Sequence, residues 1–426
     1  MLYDQWLQIA RDRRREIALI DRDSGIRWTF SDLATAAEAG GASRDRVVFP
    51  QRPDAEFVLT VLRAWRSGQV VCPLEFGQEV PRFADRIPEA IVHLKTTSAT
   101  TGRARYVAFR PQQLMADADH IVQAMGLRPD WPNLGIISLA HSYGFSNLVL
   151  PLLLHGIPLI LAGSPLPEIL RQAAGGMPWI TLPAVPALWK MWEDAGAIPK
   201  NVCLAISAGA MLPAELERTV YRDQGLKIHN FYGSSETGGI AFDSSWEPRS
   251  DSAYVGLPMA GVKVNVGRDG FLEVRGDAVA EKYWPEATPE LTTGCFRTGD
   301  LGEIRNGGLF LRGRAGDQIN VAGRKVSPEV IECVLASHPA VRRCVVFGVP
   351  SPEANRGELI VACVAVKGNL GAEALKEFLS VRVPAWQMPR EWVFVEDLAV
   401  NARGKMSRVE WRARYLEQWA PRFRPG

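Results

Sequence analysis

The feature that most restricts how this chain can fold is a series of short, dense apolar runs between Trp28 and about Tyr254. RVVF, GQVVCPL, LGIISLA, IPLILA, PWITL, VCLAIS and LKIHNFYG alternate with amphipathic segments and with Gly, Pro and Asn turns. Runs this short and this apolar predict strands buried on both faces, hence a mainly parallel sheet covered by helices. The segment Leu212–Arg222, helical in pattern, lies between VCLAIS and LKIHNFYG and supplies the β-α-β order that joins parallel strands. Around residues 254 to 311 the pattern changes. VKVNV, FLEVRG, GEIR and LFLRGR follow one another closely across Gly and Asp turns, which predicts a small antiparallel part.

A break falls near GRAGDQINVAGRKVSPEVIE, where Gly313, Gly316 and Gly323 suit a hinge. Beyond it a helix is expected from Pro328, with Val330, Ile331, Val334 and Leu335 on one face. RRCVVFGV, ELIVACVAV, AEALKEFLSVRV and EWVFVE then read as strand, strand, helix, strand, before a polar loop, VNARGKMSR. The expected class is α/β. A large N-terminal domain of parallel and mixed sheets covered by helices, with the antiparallel part, takes residues 1–314. A small mobile α+β C-terminal domain takes 315–426. A chain of 426 residues is long enough for both.

Charge and cysteine usage exclude several classes. A net charge of +2 leaves no cationic excess for a nucleic-acid footprint. The N-terminal MLYDQWLQIARDRRRE is charged where a signal peptide needs its apolar segment, and Leu148–Ala162 is too short and too broken by proline to span a bilayer. The 6 cysteines are far apart without a CxxC pair, which fits reduced thiols in a soluble cytoplasmic protein better than zinc or disulfides.

Five stretches carry chemistry. Thr96–Arg105, TTSATTGRAR, has hydroxyls, one glycine and no large apolar side chain, so its hydroxyls and amides could wrap a phosphate. It lacks the GxxxxGK[ST] spacing of a Walker loop. NFYGSSETGG (Asn230–Gly239) places a tyrosine, serines and a glutamate in one glycine-rich turn after a strand. FRTGDLG offers the Asp300 carboxylate to a pair of ribose hydroxyls. GRAGDQINVAG puts Arg314 at the joint, and NARGKMSR puts Lys405 in the last loop. Singly, each also reads as a solvated turn, a hairpin tip or a basic loop. All five in this order are far harder to obtain by chance.

Together they resemble the adenylate-forming superfamily: acyl-CoA synthetases, nonribosomal-peptide adenylation domains and firefly luciferase. The likeness runs from GIRWTFSDL to GKMSR. The loop resembles TSGTTGxPKG, SLAHSYGFSN the motif centred on an aromatic or histidine, SAGAMLP the segment that packs on adenine, and YGSSE the motif YGxTE. The resemblance implies activation of a carboxylic acid by ATP to an acyl-adenylate, then transfer to CoA or to the phosphopantetheine thiol of an acyl carrier protein. It implies that Thr97, Ser98, Thr100, Thr101 and Gly102 hold the β- and γ-phosphates, and that Ser235 touches phosphate. Glu236 would hold Mg²⁺. Tyr232, Gly233 and the Ala208-Gly209-Ala210 backbone would enclose the adenine. Asp300 would bind the ribose with Arg314 nearby, Lys405 would bridge carboxylate and α-phosphate, and His141 would wall the acid pocket.

Three departures stand out. Ala99 replaces a loop glycine, Ala104-Arg105 replace Pro-Lys, and Gly316 occupies a hinge position usually held by Asp or Lys. The region before the loop is also shorter than in most relatives. A non-catalytic binder of nucleotide or acyl-adenylate is therefore the alternative. A serine hydrolase or HxxxD acyltransferase is excluded, because GxSxG is absent and no histidine has an aspartate four positions later. The acid-pocket candidates Tyr143, Asn147, Ser207, Ala208, Gly233, Gly238, Gly239 and Ile240 suit an aromatic ring or an alkyl chain.

Overall fold

The structure is a computed structural model that describes residues 1–40, 45–96, 105–351, 357–398 and 407–419. Its largest sheet has a parallel half and an antiparallel half. Ile17–Asp21, Leu159–Leu161, Asn133–Gly135, Ile180–Ala184, Val202–Ser207 and Ile228–Ser234 lie side by side and parallel. Every residue of Ile180–Ala184 is buried, as strands covered by helices on both faces require. The helix Ala214–Gln224 joins the last two of these strands, starting and ending two residues later than its sequence pattern suggests. Gly225 closes it in the left-handed conformation at φ 68°.

The antiparallel half begins earlier than expected, at the pair Ile228–Ser234 with Gly238–Phe242. It continues through Tyr254–Pro258, Gly308–Arg314, Cys295–Arg305, Phe271–Arg275 and Lys263–Val266. RTGD is not a hairpin tip. It lies inside the strand Cys295–Arg305. LGIISLA is a strand only at Asn133–Gly135, because the chain folds back beyond Ile137. There Gly144 approaches so closely that a Cβ would fall 1.9 Å from the Ser138 carbonyl oxygen.

A second sheet orders Lys282–Trp284, Tyr106–Phe109, His93–Thr96, Val70–Val71 and Val47–Val48. The helix Pro111–Met125 covers it, with proline in its first turn and Gly126 as its left-handed cap. Beyond the hairpin of Ile319–Val321 and Arg324–Val326, the C-terminal part has the expected strand, strand, helix, strand order: Val341–Pro350, Glu358–Val366, Ala372–Ser380 and Glu391–Phe394. Alternate residues of its strands feed two apolar clusters. Val346 and Val364 meet Ile331 and Leu335, while Phe347 and Cys363 meet Trp411 and Tyr415. All six cysteines are free thiols. Among the described residues no helix is long and apolar enough to cross a membrane.

Candidate active site

Strands Ile180–Ala184 and Val202–Ser207 end together, with Ser207 opposite Ala184, while Ile228–Ser234, in register with Ser207 at Asn230, runs on to Ser234. The crevice past such carboxyl ends is where open α/β sheets bind ligands. Three groups of side chains collect near it.

The first is Tyr232, Asp300 and Arg314. Asp300 and Arg314 oppose each other across two antiparallel strands. The Tyr232 hydroxyl donates to Asp300 Oδ2 at 2.6 Å, and Arg314 Nε donates to Oδ1 at 3.0 Å. Burial, then the Asp300 charge, holds the Tyr232 phenol well above its ordinary range, so it stays a neutral donor. The Asp300 side chain is 14% exposed and that of Arg314 62%. The carboxylate is therefore fixed while the guanidinium remains open to an anion. At the neighbouring strand end Ala208 is buried, and Gly209, at φ 84°, and Ala210 expose their backbone.

The second group surrounds Glu236, in the turn between Ile228–Ser234 and Gly238–Phe242. Gly233 faces Gly239 there, and a Cβ on Gly233 would lie 2.5 Å from the Gly238 carbonyl oxygen. Glu236 N–H donates to Ser234 Oγ at 3.2 Å, and its carbonyl accepts from Ala280 N–H at 2.8 Å. Its Oε1 accepts from the Tyr283 hydroxyl at 2.8 Å. Burial, then the Glu236 charge, raises the Tyr283 pKa and keeps that donor protonated. The Arg105 guanidinium stands 5.6 Å from the Tyr283 ring centroid, so the cation at the far side of the hydroxyl loop does reach the surroundings of Glu236.

The third group centres on His141, which caps the short helix Ser142–Gly144. Its Nδ1 accepts from Tyr143 N–H at 3.3 Å. Ser142 Oγ donates to Ser235 Oγ at 2.9 Å, joining this motif to the glutamate turn. Thr97, Ser98, Thr100, Thr101, Gly102 and Lys405 lie outside the described residues. Of the last motif, Arg408 is placed. It donates to Asp317 Oδ2 at 2.7 Å and to Glu332 Oε2 at 2.6 Å, which anchors the start of the helix Arg408–Gln418 beside Gly316.

The family described as "AMP-binding enzyme" matches residues 80–284, and "AMP-binding enzyme C-terminal domain" matches 330–405. The chain belongs to the AMP-binding, adenylate-forming enzymes. Among this family it is 27% identical over 345 residues to a sulfoacetate–CoA ligase of Cupriavidus necator, covering 76% of this chain and 67% of that one. It is 26% identical over 344 residues to a probable 2-succinylbenzoate–CoA ligase of Mycobacterium tuberculosis, covering 77% and 85%. Among solved structures, an o-succinylbenzoate CoA synthetase from Bacillus subtilis in complex with its acyl-adenylate intermediate superposes with a TM-score of 0.80. That match has 20% identity and covers 96% of this chain and 97% of the other.

In this AMP-binding enzyme a reading by motif leaves three contributors unassigned. Ser142 is adjacent to His141 and was within reach of one. Tyr283 lies 47 positions from Glu236 with no local signal. Thr298, whose Oγ1 accepts from Asp300 N–H at 3.1 Å, stands inside RTGD itself.

Proposed function

We propose that this chain is an AMP-forming acid–thiol ligase. It joins a carboxylate to the α-phosphate of ATP with release of pyrophosphate, then passes the acyl group to the CoA thiol, giving a thioester and AMP. The observation that carries this reading is the fixed Tyr232–Asp300–Arg314 group beside the Glu236 turn, in a member of the AMP-binding enzymes.

A carboxylate is a poor acyl donor because oxide would have to leave; adenylation turns that oxygen into part of a phosphate leaving group. The obstacle is the approach of two anions, and fixed positive charge at such a point is worth several kcal/mol. Lys405 bridges carboxylate and α-phosphate in this scheme. Thr97, Ser98, Thr100, Thr101 and Gly102 hold the departing pyrophosphate, with Ser235 on phosphate. Asp300 accepts from the ribose hydroxyls while Arg314 meets ribose or phosphate. Tyr232, Gly233 and Ala208–Ala210 enclose the adenine, and His141 walls the acid pocket.

No cluster of three metal-ligating side chains exists among the described residues, so Mg²⁺ at Glu236 would take its other ligands from phosphate oxygens and water, as it commonly does. Bound there, it would neutralise phosphate charge. The thiol, with a pKa near ~8.5, is partly ionised at neutral pH and needs no dedicated base. An acyl carrier protein is the other acceptor of the same chemistry. We place the domain boundary at 314/315, with a swing about Gly316 exchanging the two half-reactions, and the enzyme in the cytoplasm. A Cβ on Gly316 would meet nothing within 4 Å, which suits a freely turning joint.

The test is pyrophosphate exchange with aryl, fatty and short acids, followed by thioester assays with CoA and with a carrier protein. Lys405→Ala should abolish exchange while AMP binding persists. Wild type that binds AMP and exchanges with no acid would refute the ligase in favour of a binder.

A further inference from the structure

Beneath the site lies a second polar group that none of these roles uses. Lys95, Asp117 and Ser146 are each no more than 3% exposed. Lys95 is the next-to-last residue of the strand His93–Thr96, two positions before Thr97, and Ser146 sits in the π-helical turn Phe145–Val149, five positions past His141. Asp117 occupies the buried stripe of helix Pro111–Met125, between Leu114 and Ile121.

Asp117 is where they meet. Its Oδ2 accepts from Ser146 Oγ at 2.6 Å and faces Lys95 Nζ at 3.8 Å. Its Oδ1 accepts from Gly239 N–H at 3.0 Å. Lys95 also donates to Ser146 Oγ at 3.2 Å and stands 4.6 Å from the Phe109 ring centroid. A Cβ on Gly238, at φ 66°, would fall 1.9 Å from Asp117 Oδ1, so turn and carboxylate are fitted to each other. A buried ion pair is no efficient route to stability, since apolar residues of similar volume usually serve as well or better. What the pair supplies is location. It ties the strand entering the hydroxyl loop to the turn after His141 and to the strand that starts two residues past Glu236.

We propose that Asp117, paired with Lys95, is a positioning residue that fixes the start of the strand Gly238–Phe242 and so sets where Glu236, in the turn just before it, stands relative to the strand His93–Thr96. The proposal rests on the ligase reading above. Burial pulls the Lys95 ammonium below its ordinary range, opposed by Asp117 and then by Glu236, so its charge state is coupled to both carboxylates.

Removing one partner would strand a buried charge, so paired variants are the test. Lys95→Met/Asp117→Asn is uncharged and keeps an oxygen for Gly239 N–H; Lys95→Met/Asp117→Leu is uncharged and does not. Thermal unfolding, AMP affinity and acid-dependent pyrophosphate exchange are measured on each. With Leu at 117, exchange kcat should fall at least about 30-fold, the size of loss that misplacement by a fraction of an ångström produces, while AMP affinity stays within about twofold. With Asn, exchange should fall less than about fivefold. Equal exchange in the two variants overturns positioning, as does parallel loss of exchange and AMP binding in both, which marks a merely structural role. Should the Leu variant not fold, Ser146→Ala removes one donor to Asp117 and should lower exchange about threefold with AMP affinity kept; unchanged exchange there also overturns it. An inactive wild type removes the ligase reading and this proposal together, a result distinct from the others.

Discussion

Two clusters of charge are buried in the large domain, and they differ in how completely they are bonded. In the first, Glu217, Lys227, Asp243 and Arg249 bring two cations to two carboxylates, all at most 6% exposed. Lys227 Nζ donates to Glu217, to Asp243 Oδ2 at 2.7 Å and to the Ile228 carbonyl at 3.1 Å. Arg249 donates to Glu217 Oε2 at 2.6 Å and to the carbonyls of Tyr254 at 2.6 Å and Leu212 at 2.9 Å. In the second, one ammonium faces one carboxylate at 3.8 Å with Ser146 between them. His93 packs alongside with no partner at either ring nitrogen among the described residues. The first cluster spends its bonding capacity stitching helix Ala214–Gln224 to the chain around 243–254. The second leaves polar groups under-bonded at the junction of three motifs. Burial is common to both; saturation and location separate structure from function.

The largest expected effect lies in the first cluster. Glu217→Gln leaves Lys227 and Arg249 in excess in a closed interior, and losing one member of a buried ion network costs about 3–5 kcal/mol. Urea unfolding should show that loss, while the folded fraction keeps its KM for ATP. A loss below about 1 kcal/mol would mean that this network is not a staple.

How much of this was legible follows from the distance between partners along the chain. Buried strands show as apolar runs, and Tyr232, Glu236 and Asp300 stand in short motifs whose residues are neighbours, so both could be read. Asp117 could not. It sits in MADADH, which looks like a solvated helical face, and its partner Gly239 is 122 positions away. Lys95 looks like a surface cation at a strand end, yet it is 3% exposed. Only the fold shows that this end of the strand is covered. LGIISLA misled for a related reason, since its Ser138 meets Gly144, a residue beyond the run whose close approach the run itself does not announce.

The next effect separates the clusters by pH. His93 is fully buried between Phe109 and Phe145, its ring centroid 4.3 Å from that of Phe145. Burial, then the Lys95 charge, holds its pKa well below the ordinary value. The unfolded chain takes up a proton near pH 6.5 that the folded one refuses, so stability is full above that pH and drains as pH falls through it. The slope approaches about 1.4 kcal/mol per pH unit. His93→Leu should flatten the wild-type curve between pH 7.5 and 5 by that amount. Other histidines contribute equally to both proteins, so the difference isolates His93. Identical slopes would mean that a proton does reach this interior.

The smallest effect asks to which side Glu236 belongs. Tyr283→Phe removes one hydroxyl from its carboxylate and keeps the ring beside Arg105. Tyr283 is buried, but Phe keeps its ring in place and Glu236 retains its backbone bonds, so the change should cost stability little. A hydrogen bond to a charged group is worth about 1.5 kcal/mol, and its loss lets the carboxylate take up other rotamers. Exchange measured against Mg²⁺·ATP should then show KM raised roughly five- to tenfold, with the melting temperature unmoved. If Tyr283→Phe instead lowers the melting temperature and leaves that KM unchanged, Glu236 is held for the fold, as Glu217 is. The contrast between the two clusters would then have to be redrawn with the glutamate turn on the structural side.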